Sequence, residues 1–142
     1  MNNLQLSLRV PTDIEFSQIC FFINEFELDN RELQKKQFTA ALRDTILAGF
    51  GRLREHNSCL ELCSLGVIAQ HRRKGIGKAI VTKLINNSSK DIYLVCIIPE
   101  FFIPFGFQIT EEYPPSIQNK INYCTSELAV PEKYTAMVLR RL

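Results

Sequence analysis

The sequence has no tryptophan, only two histidines, and no hydrophobic run long enough to cross a membrane, since a spanning helix needs about 20 apolar residues. Its first residues, Met-Asn-Asn-Leu-Gln, lack the basic segment followed by an apolar one that marks a secretory signal. Neither sign of charge dominates, because 17 Lys and Arg against 15 Asp and Glu give a net charge of +2. These absences predict a cytoplasmic protein that binds neither membranes nor nucleic acid.

The number and spacing of the cysteines argue against two kinds of stabilisation, a disulfide framework and a structural zinc site. There are five of them, an odd number, with no Cys-x-x-Cys pair, and most lie inside apolar segments. This pattern is unlike a disulfide framework and unlike a structural zinc site. We therefore expect buried thiols in a reducing compartment, and no metal.

The length and the hydrophobic patterning are those of an ordinary globular chain. With 142 residues and 46% hydrophobic content, we expect a single domain over residues 1–142. Alternating and helical periodicities predict the order β-α-(α)-β-β-β-α-β-α-β-α-β, in which a meander precedes crossover units. That order predicts an α+β fold, with helices packed on a mixed sheet.

Local signals support several of these elements. Thr12 followed by Glu15 fits a capping box at the start of the first helix. Asp44 separates two predicted strands, 37–43 and 45–53. The second of these strands contains Gly49 and Gly51, which indicate either a bulge or a close approach of ligand to backbone.

The most informative segment runs from residue 65 to residue 80. It is predicted to be the end of a strand, a basic glycine-containing loop and the first turn of an amphipathic helix. A helix start offers unpaired N–H groups and a partial positive charge, so this order predicts a phosphate-binding loop. A P-loop is excluded because Ala79 follows Gly77-Lys78. A dinucleotide fingerprint is excluded because Ile80 occupies its third glycine position.

A third phosphate motif fits. Arg72-x-x-Gly75-x-Gly77, preceded by the strand end Leu65-Gly66-Val67, resembles the loop of the GNAT superfamily of N-acetyltransferases. The resemblance implies a central, mostly antiparallel mixed sheet flanked by helices, with acetyl-CoA as the cosubstrate. It further implies that the backbone of Leu65, Gly66 and Val67 pairs with the pantetheine arm. The pyrophosphate would be held by the amides of Arg72, Arg73, Lys74, Gly75, Ile76, Gly77 and Lys78.

A narrower resemblance covers residues 58–124. The strand 61–67 and the pattern Tyr113-Pro-Pro-Ser116 with Asn122-Tyr123 are similar to the acetyltransferase domain of N-acetylglutamate synthase. Two departures matter. Phe102 stands where many GNAT relatives have a tyrosine acid, and Thr125 stands where the synthases have an arginine that helps to hold a substrate carboxylate. The resemblance therefore leaves both the general acid and glutamate as the acceptor open.

Glu61 and Tyr123 are the candidate catalytic residues. An acid in an otherwise apolar strand has its pKa raised by burial, which suits a general base acting through water. The alternative is that Glu61 faces solvent, and a bulge near Gly66 would decide which face it occupies. Tyr123 is either an acid or substrate contact, or a packed aromatic.

The acceptor is not readable from the sequence. A primary amine on a small molecule or an amino acid is the favoured acceptor. The alternatives are transfer to protein N-termini or lysines, and a regulatory module that binds coenzyme A without turnover. A homodimer is compatible with the sequence, which leaves the oligomeric state open.

Overall fold

A computed structural model describes residues 5–127 and 133–141 of the chain. Seven strands and four α-helices are defined in these ranges, joined in part by short 3-10 turns at Lys35–Gln37, Ala69–His71 and Ile103–Phe105. The elements are β1 (Leu6–Arg9), α1 (Asp13–Glu25), β2 (Phe38–Arg43), β3 (Ile46–Glu55), β4 (Leu60–Val67), α2 (Ile76–Asn86), β5 (Ile92–Cys96), α3 (Pro99–Phe102), β6 (Gln108–Ile109), α4 (Pro115–Glu127) and β7 (Thr135–Leu139).

The strands form one mixed sheet. Their spatial order is β1-β2-β3-β4-β5-β7-β6. Strands β4 and β5 run parallel, whereas the pairs β1–β2, β2–β3, β5–β7 and β6–β7 are antiparallel. The predicted α+β class, with a mixed and mostly antiparallel sheet flanked by helices, is confirmed.

The residues that cap the start of α1 form the hydrogen bonds that the sequence predicts. The Thr12 side chain accepts a hydrogen bond from the Glu15 amide, and the Glu15 carboxylate accepts one from the Thr12 amide. Glu15 is also paired with Arg9 at 2.6 Å, which lowers the pKa of its carboxyl group. The capping box is confirmed, and it fixes where the chain leaves β1 and enters the helix.

The chain divides into two compact units. In the described residues, the first unit comprises 5–53 and 64–87, and the second comprises 54–63, 88–127 and 133–141. The single domain expected from the chain length stays a prediction. No helix within the described ranges is both long and apolar enough to cross a bilayer.

The first unit has a core built on the inner face of α1. Ile19 and Ile23 are fully buried in a cluster with Phe38 and Phe50 of the sheet. Gly49 allows helix α2 to lie close to β3, since a Cβ added there would meet the Ile80 side chain at 3.0 Å. Gly51 lies against the same helix. These glycines therefore accommodate a packed helix. The register of the hairpin also shifts beside Gly49, because Ala48 of β3 is an extra residue between the pairs Ala41–Gly49 and Leu42–Leu47.

The second unit packs its helices on β5 and β7. The best-buried side chains are apolar ones from both strands and from the flanking helix and loop: Ile92, Leu94, Met137, Val138, Phe107 and Ile117. Phe102 of α3 is buried as well, with its ring 5.0 Å from that of Phe101 and 5.9 Å from that of Phe107. Phe102 thus belongs to an aromatic cluster, at the position where the family resemblance implies a tyrosine acid in many relatives.

Candidate functional site

The predicted phosphate loop joins β4 to α2 in the first unit. Gly75 caps α2 in the left-handed region, at φ 78° and ψ 11°. The helix starts at the next residue, so its first amides have no partner within the helix and form a positive end. Arg73, Lys74 and Lys78 are exposed around it. This is the arrangement that an anion-binding helix start requires.

Arg72 serves the loop in a different way from the other three basic residues. Its Nε donates a hydrogen bond to the carbonyl oxygen of Val67 at 2.8 Å. Its guanidinium also lies 5.3 Å from the centre of the Phe26 ring, within cation–π range. The side chain of Arg72 therefore holds the loop against the end of β4, while its backbone amide remains part of the loop.

The strand end Leu65–Val67 is shaped by packing. A Cβ on Gly66 would come within 2.8 Å of the Phe50 ring and 3.1 Å of the Phe26 ring. The need for a residue without a side chain at position 66 is thus explained by the two aromatic rings that pack against it. The irregular backbone expected near Gly66 lies two residues earlier, at Ser64, whose φ is 52°. Residues 60–64 are all buried, so side chains on both faces of this part of β4 are covered.

A buried arginine holds that irregular residue. Arg52 of β3 has no exposed surface, and its Nε donates to Ser64 Oγ at 3.1 Å. Its Nη2 donates to the carbonyl oxygen of Arg31 at 3.0 Å. Ser64 Oγ donates in turn to the carbonyl oxygen of Asp29 at 2.7 Å. The cluster ties β3, β4 and the segment after α1 together within the first unit.

Glu61 lies in the second unit and is completely buried. Its Oε2 lies 3.0 Å from Lys120 Nζ, and its Oε1 lies 2.8 Å from His56 Nε2. The solvent-facing alternative for Glu61 is therefore wrong. The apolar surroundings expected for it are wrong too, because an ammonium group and an imidazole occupy them. Paired in this way, the carboxylate can keep its charge without contact with water.

Helix α4 lies alongside the start of β4. Ser116 Oγ is 3.5 Å from Cys59 Sγ, and Lys120, one turn further along the helix, reaches Glu61. Tyr123 follows Lys120 by three residues and so lies on the same side of α4. The two predicted catalytic residues, Glu61 and Tyr123, therefore belong to one β4–α4 layer. Their catalytic roles stay predictions.

A cavity of about 280 Å³ opens beside this layer. His56, Cys59 and Tyr93 are among the residues that line it, together with the charged side chains of Lys90 and Asp91. Tyr93 sits opposite Glu61 in the parallel pairing of β4 and β5. Burial raises the pKa of the Cys59 thiol, so that this group stays neutral near pH 7. The cavity is of a size for a small polar molecule.

Two members of the buried cluster, Lys120 and His56, do not stand out in the sequence. A usable signal exists for Lys120, because Ile117, Lys120, Ile121 and Cys124 recur at the spacing of one helix face. A lysine in such an apolar stripe needs a buried acidic partner. No comparable pattern marks His56, which lies in the turn between two strands.

Nothing in the described ranges resembles a metal centre. Residues 5–127 and 133–141 contain no group of three or more His, Cys, Asp or Glu side chains able to hold an ion. All five cysteines are free, and Cys63 and Cys124 are buried.

Replacing Gly75 with valine should weaken coenzyme A binding by about tenfold or more. A β-branched residue at φ 78° is strained, at a cost of roughly 1–2 kcal/mol, and relief of that strain would turn the amides of the loop away. Isothermal titration with coenzyme A measures the change. Asparagine tolerates this backbone region, so Gly75→Asn is the matched control and should bind more tightly than Gly75→Val.

No neighbouring atom lies within 4 Å of a Cβ added at Gly75. The Cβ atom itself therefore meets no neighbour in the free protein, and the expected loss of affinity comes from the backbone conformation. Equal coenzyme A affinity in the wild type and Gly75→Val would contradict the assignment of this loop.

Solved structures with the same fold include acetyltransferases of several kinds. N-acetylglutamate synthase from Neisseria gonorrhoeae, complexed with coenzyme A and N-acetyl-glutamate, superposes with a TM-score of 0.75 at 18% identity, over 99% of this chain and 36% of that one. This chain thus spans about a third of the synthase chain. Diaminobutyrate acetyltransferase EctA from Paenibacillus lautus, complexed with L-2,4-diaminobutyric acid and coenzyme A, gives 0.69 at 14% identity, over 97% and 96%.

A third structure carries a peptide-like ligand. Naa50 from Arabidopsis thaliana, in complex with the bisubstrate analogue CoA-Ac-MVNAL, gives a TM-score of 0.64 at 21% identity, over 94% of this chain and 97% of that one. At these identities the likeness shows the fold. Among curated proteins, no sequence shows significant similarity to this chain.

The sequence pattern that defines one family matches most of the chain. Residues 5–98 fit the acetyltransferase (GNAT) family, a span that runs from β1 past β5 and includes both the α2 loop and Glu61. The sheet order and the strand–loop–helix geometry around Gly75 agree with that match. The chain therefore belongs to the acetyltransferase (GNAT) family.

Proposed function

We propose that this acetyltransferase uses acetyl-CoA to acetylate the primary amine of a small molecule or an amino acid, by direct transfer in a ternary complex. The observation that carries the proposal is the start of α2, where a left-handed Gly75 exposes the first helix amides among three basic side chains. An anion with several negative charges is the natural ligand of such a site.

The chain's own residues would divide the binding of the donor between them. Amides from Arg72 to Lys78 would hold the pyrophosphate, and the strand end Leu65–Val67 would pair with the pantetheine arm. The hydrogen bond from Arg72 to Val67 keeps the loop and the strand end in one arrangement. When bound, acetyl-CoA supplies the activated acetyl group as a thioester.

Transfer also requires removal of a proton from the acceptor ammonium and protonation of the departing thiolate. We assign the first task to the cluster around Glu61, because it holds an ionised carboxylate and an imidazole in contact. Tyr123, on the same side of α4 as Lys120, is the candidate for the second task. Phe102 cannot perform it, because a phenyl ring carries no proton to give.

The choice of a small amine is supported by the related structures. N-acetylglutamate synthase and diaminobutyrate acetyltransferase are both named for amino-acid amines, whereas the Naa50 complex carries a peptide analogue. Glutamate is neither favoured nor excluded as the acceptor, because Thr125 stands where the synthases have an arginine that helps to hold a substrate carboxylate. A cytoplasmic location and a homodimer also stay predictions.

Release of the coenzyme A thiol in the presence of different amines tests the proposal. We expect release with acetyl-CoA and at least one amino acid or diamine, and none above the hydrolytic background with peptides that have free N-termini. Coenzyme A binding is measured separately by titration, so that donor binding and turnover are scored independently.

Each departure from that result has a defined meaning. Release with peptides alone would replace the small-amine acceptor by a protein one. Tight binding of coenzyme A without release on any amine would contradict the proposed transfer.

A further inference from the structure

We infer that Phe26, at the end of α1, and Arg72 are positioning residues for the donor, and that their contact sets the spacing between the two halves of the donor site. The inference rests on the proposed function. One half is the strand end Leu65–Val67, which would pair with the pantetheine arm, and the other is the start of α2, which would hold the pyrophosphate. Phe26, Arg72 and both halves of the site belong to the first unit.

The ring of Phe26 contacts both halves of the donor site. A Cβ atom added to Gly66, in the strand end, would meet the Phe26 ring at 3.1 Å, so the backbone of the strand lies directly against that ring. The guanidinium of Arg72, in the loop that leads to α2, lies 5.3 Å from the centre of the same ring. One aromatic side chain therefore touches the strand end on one side and the loop on the other.

The position of the Phe26 ring is fixed by α1 and by the sheet. Its amide donates a hydrogen bond to the Phe22 carbonyl oxygen at 2.8 Å and closes the last turn of the helix. Its ring is nearly parallel to that of Phe50 in β3, with 6.5 Å between the ring centres. Phe26 also packs against the core cluster that contains Ile19 and Ile23 of α1. The strand end and the loop thus share a support that is part of neither.

Arg72 connects that support to the loop through two parts of its side chain. Its Nε donates to the Val67 carbonyl oxygen at 2.8 Å, which closes the connection between the strand end and the loop. The guanidinium lies against the Phe26 ring at an exposed site, where the attraction between a cation and an aromatic face is worth about two- to fivefold in an equilibrium constant. Loss of either contact lets the loop shift relative to the strand end.

The start of α2 has supports of its own. Ile76, its first residue, and Ile80, one turn later, are buried. Both side chains lie close to Gly49 of β3, within about 3 Å of the place that a Cβ atom would take there. The amides at the helix start therefore keep their own arrangement when the contact between Phe26 and Arg72 is lost, whereas their distance from the strand end changes.

Coenzyme A needs both halves of the site at once. A ligand that binds two sites through one molecule gains affinity only when the spacing of the sites matches its own length. ADP carries the pyrophosphate without the pantetheine arm, so it uses the helix start alone. A change in spacing consequently weakens the binding of coenzyme A more than that of ADP, whereas a general loosening of the first unit weakens both alike.

The first arm of the test replaces Phe26 by leucine, which keeps an apolar side chain but removes the aromatic face. We expect the affinity for coenzyme A to fall about five- to tenfold and the affinity for ADP to change by less than about twofold. Isothermal titration measures coenzyme A directly and ADP by competition against it. Phe21→Leu, the same change at an exposed position of the same helix, is the control and should bind both ligands as the wild type does.

The second arm changes Arg72, which is exposed, so these variants decide the question even if Phe26→Leu does not fold. The Nε2 atom of glutamine lies as many bonds from the backbone as the Nε atom of arginine. Arg72→Gln therefore keeps a donor for the Val67 carbonyl oxygen and loses the guanidinium. Arg72→Met loses both and should bind coenzyme A more weakly than Arg72→Gln. In each variant the affinity for coenzyme A should fall by more than the affinity for ADP.

A double variant separates the contact with the ring from the loss of charge. If the ring and the guanidinium act on coenzyme A through each other, Arg72→Gln should reduce its affinity by a smaller factor in the Phe26→Leu background than in the wild type. Two factors that simply multiply would show that the residues act independently, and would overturn their contact as the cause.

The remaining outcomes distinguish the inference from the proposed function. Equal losses of coenzyme A and ADP affinity in the Phe26 and Arg72 variants would overturn the inference and leave the proposed function standing. Unchanged coenzyme A affinity in all of them would do the same. A wild type that does not bind coenzyme A, or binds it without competition from ADP, would instead contradict the donor site on which the inference rests.

Discussion

Replacing Lys120 by methionine should lower the free energy of unfolding by about 3–5 kcal/mol, the usual cost of removing one partner of a buried ion pair. The side chain of Lys120 is 6% exposed and its Nζ lies 3.0 Å from a carboxylate with no exposed surface. Methionine fills a similar volume, so the loss comes from removing the ammonium group that lies beside the buried carboxylate of Glu61. Urea-induced unfolding, followed by circular dichroism at pH 7, measures it.

Two variants separate this cause from others. Asn119→Met places the same side chain at the neighbouring, exposed position of α4 and should change stability by less than about 0.5 kcal/mol. Glu61→Gln with Lys120→Met removes both charges and should recover most of the loss. A double variant as unstable as Lys120→Met would contradict the idea that the lost attraction between the ammonium group and the buried carboxylate is responsible.

The sequence predicts the structure of this chain well where the pattern lies within a short segment. Thr12 and Glu15 are three residues apart, and the loop from Arg72 to Gly77 spans six, so both motifs can be recognised before any fold is known. The order of strands and helices follows from periodicities over similar distances. The α+β class, the sheet and the family all follow from features of this kind.

The residues that the sequence does not reveal depend on contacts between distant segments. Lys120 meets Glu61 across 59 positions of the chain, and Arg52 meets the carbonyl of Arg31 across 21. Glu61 illustrates the consequence. Its apolar neighbours in the strand predicted a carboxyl group in apolar surroundings, but helix α4 and the turn before β4 supply charged and polar partners. Tertiary structure decides the environment of a charge, and periodicity does not encode it.

Strand β4 carries two buried polar anchors, one in each compact unit. Ser64 is fixed by Arg52 in the first unit, and Glu61 by Lys120 in the second. They lie three residues apart in a strand whose end is the predicted pantetheine contact. Buried polar groups of this kind contribute little net stability but specify one arrangement of the chain. Precise placement of the strand end is what the direct acetyl transfer proposed above would require.

Replacing Arg52 by methionine should cost about 2–5 kcal/mol of the free energy of unfolding. The guanidinium has no exposed surface and donates to Ser64 and to the carbonyl oxygen of Arg31. Its loss removes these donated hydrogen bonds from a buried part of the chain. Arg52→Lys keeps the charge but not the planar fork of donors, so we expect an intermediate loss.

Hydrogen exchange locates the damage. The Arg31 amide donates to Asp29 Oδ1 at 3.0 Å, so its exchange should quicken more in Arg52→Met than that of amides in the middle of α1. Coenzyme A affinity should fall in the same variant, because Ser64 directly precedes Leu65–Val67. If unfolding and exchange change as expected while coenzyme A affinity does not, Arg52 supports the fold alone. If the free energy of unfolding, the exchange of the Arg31 amide and the coenzyme A affinity all stay the same, the buried network contributes no net stability. Apolar packing around the methionine then replaces it fully.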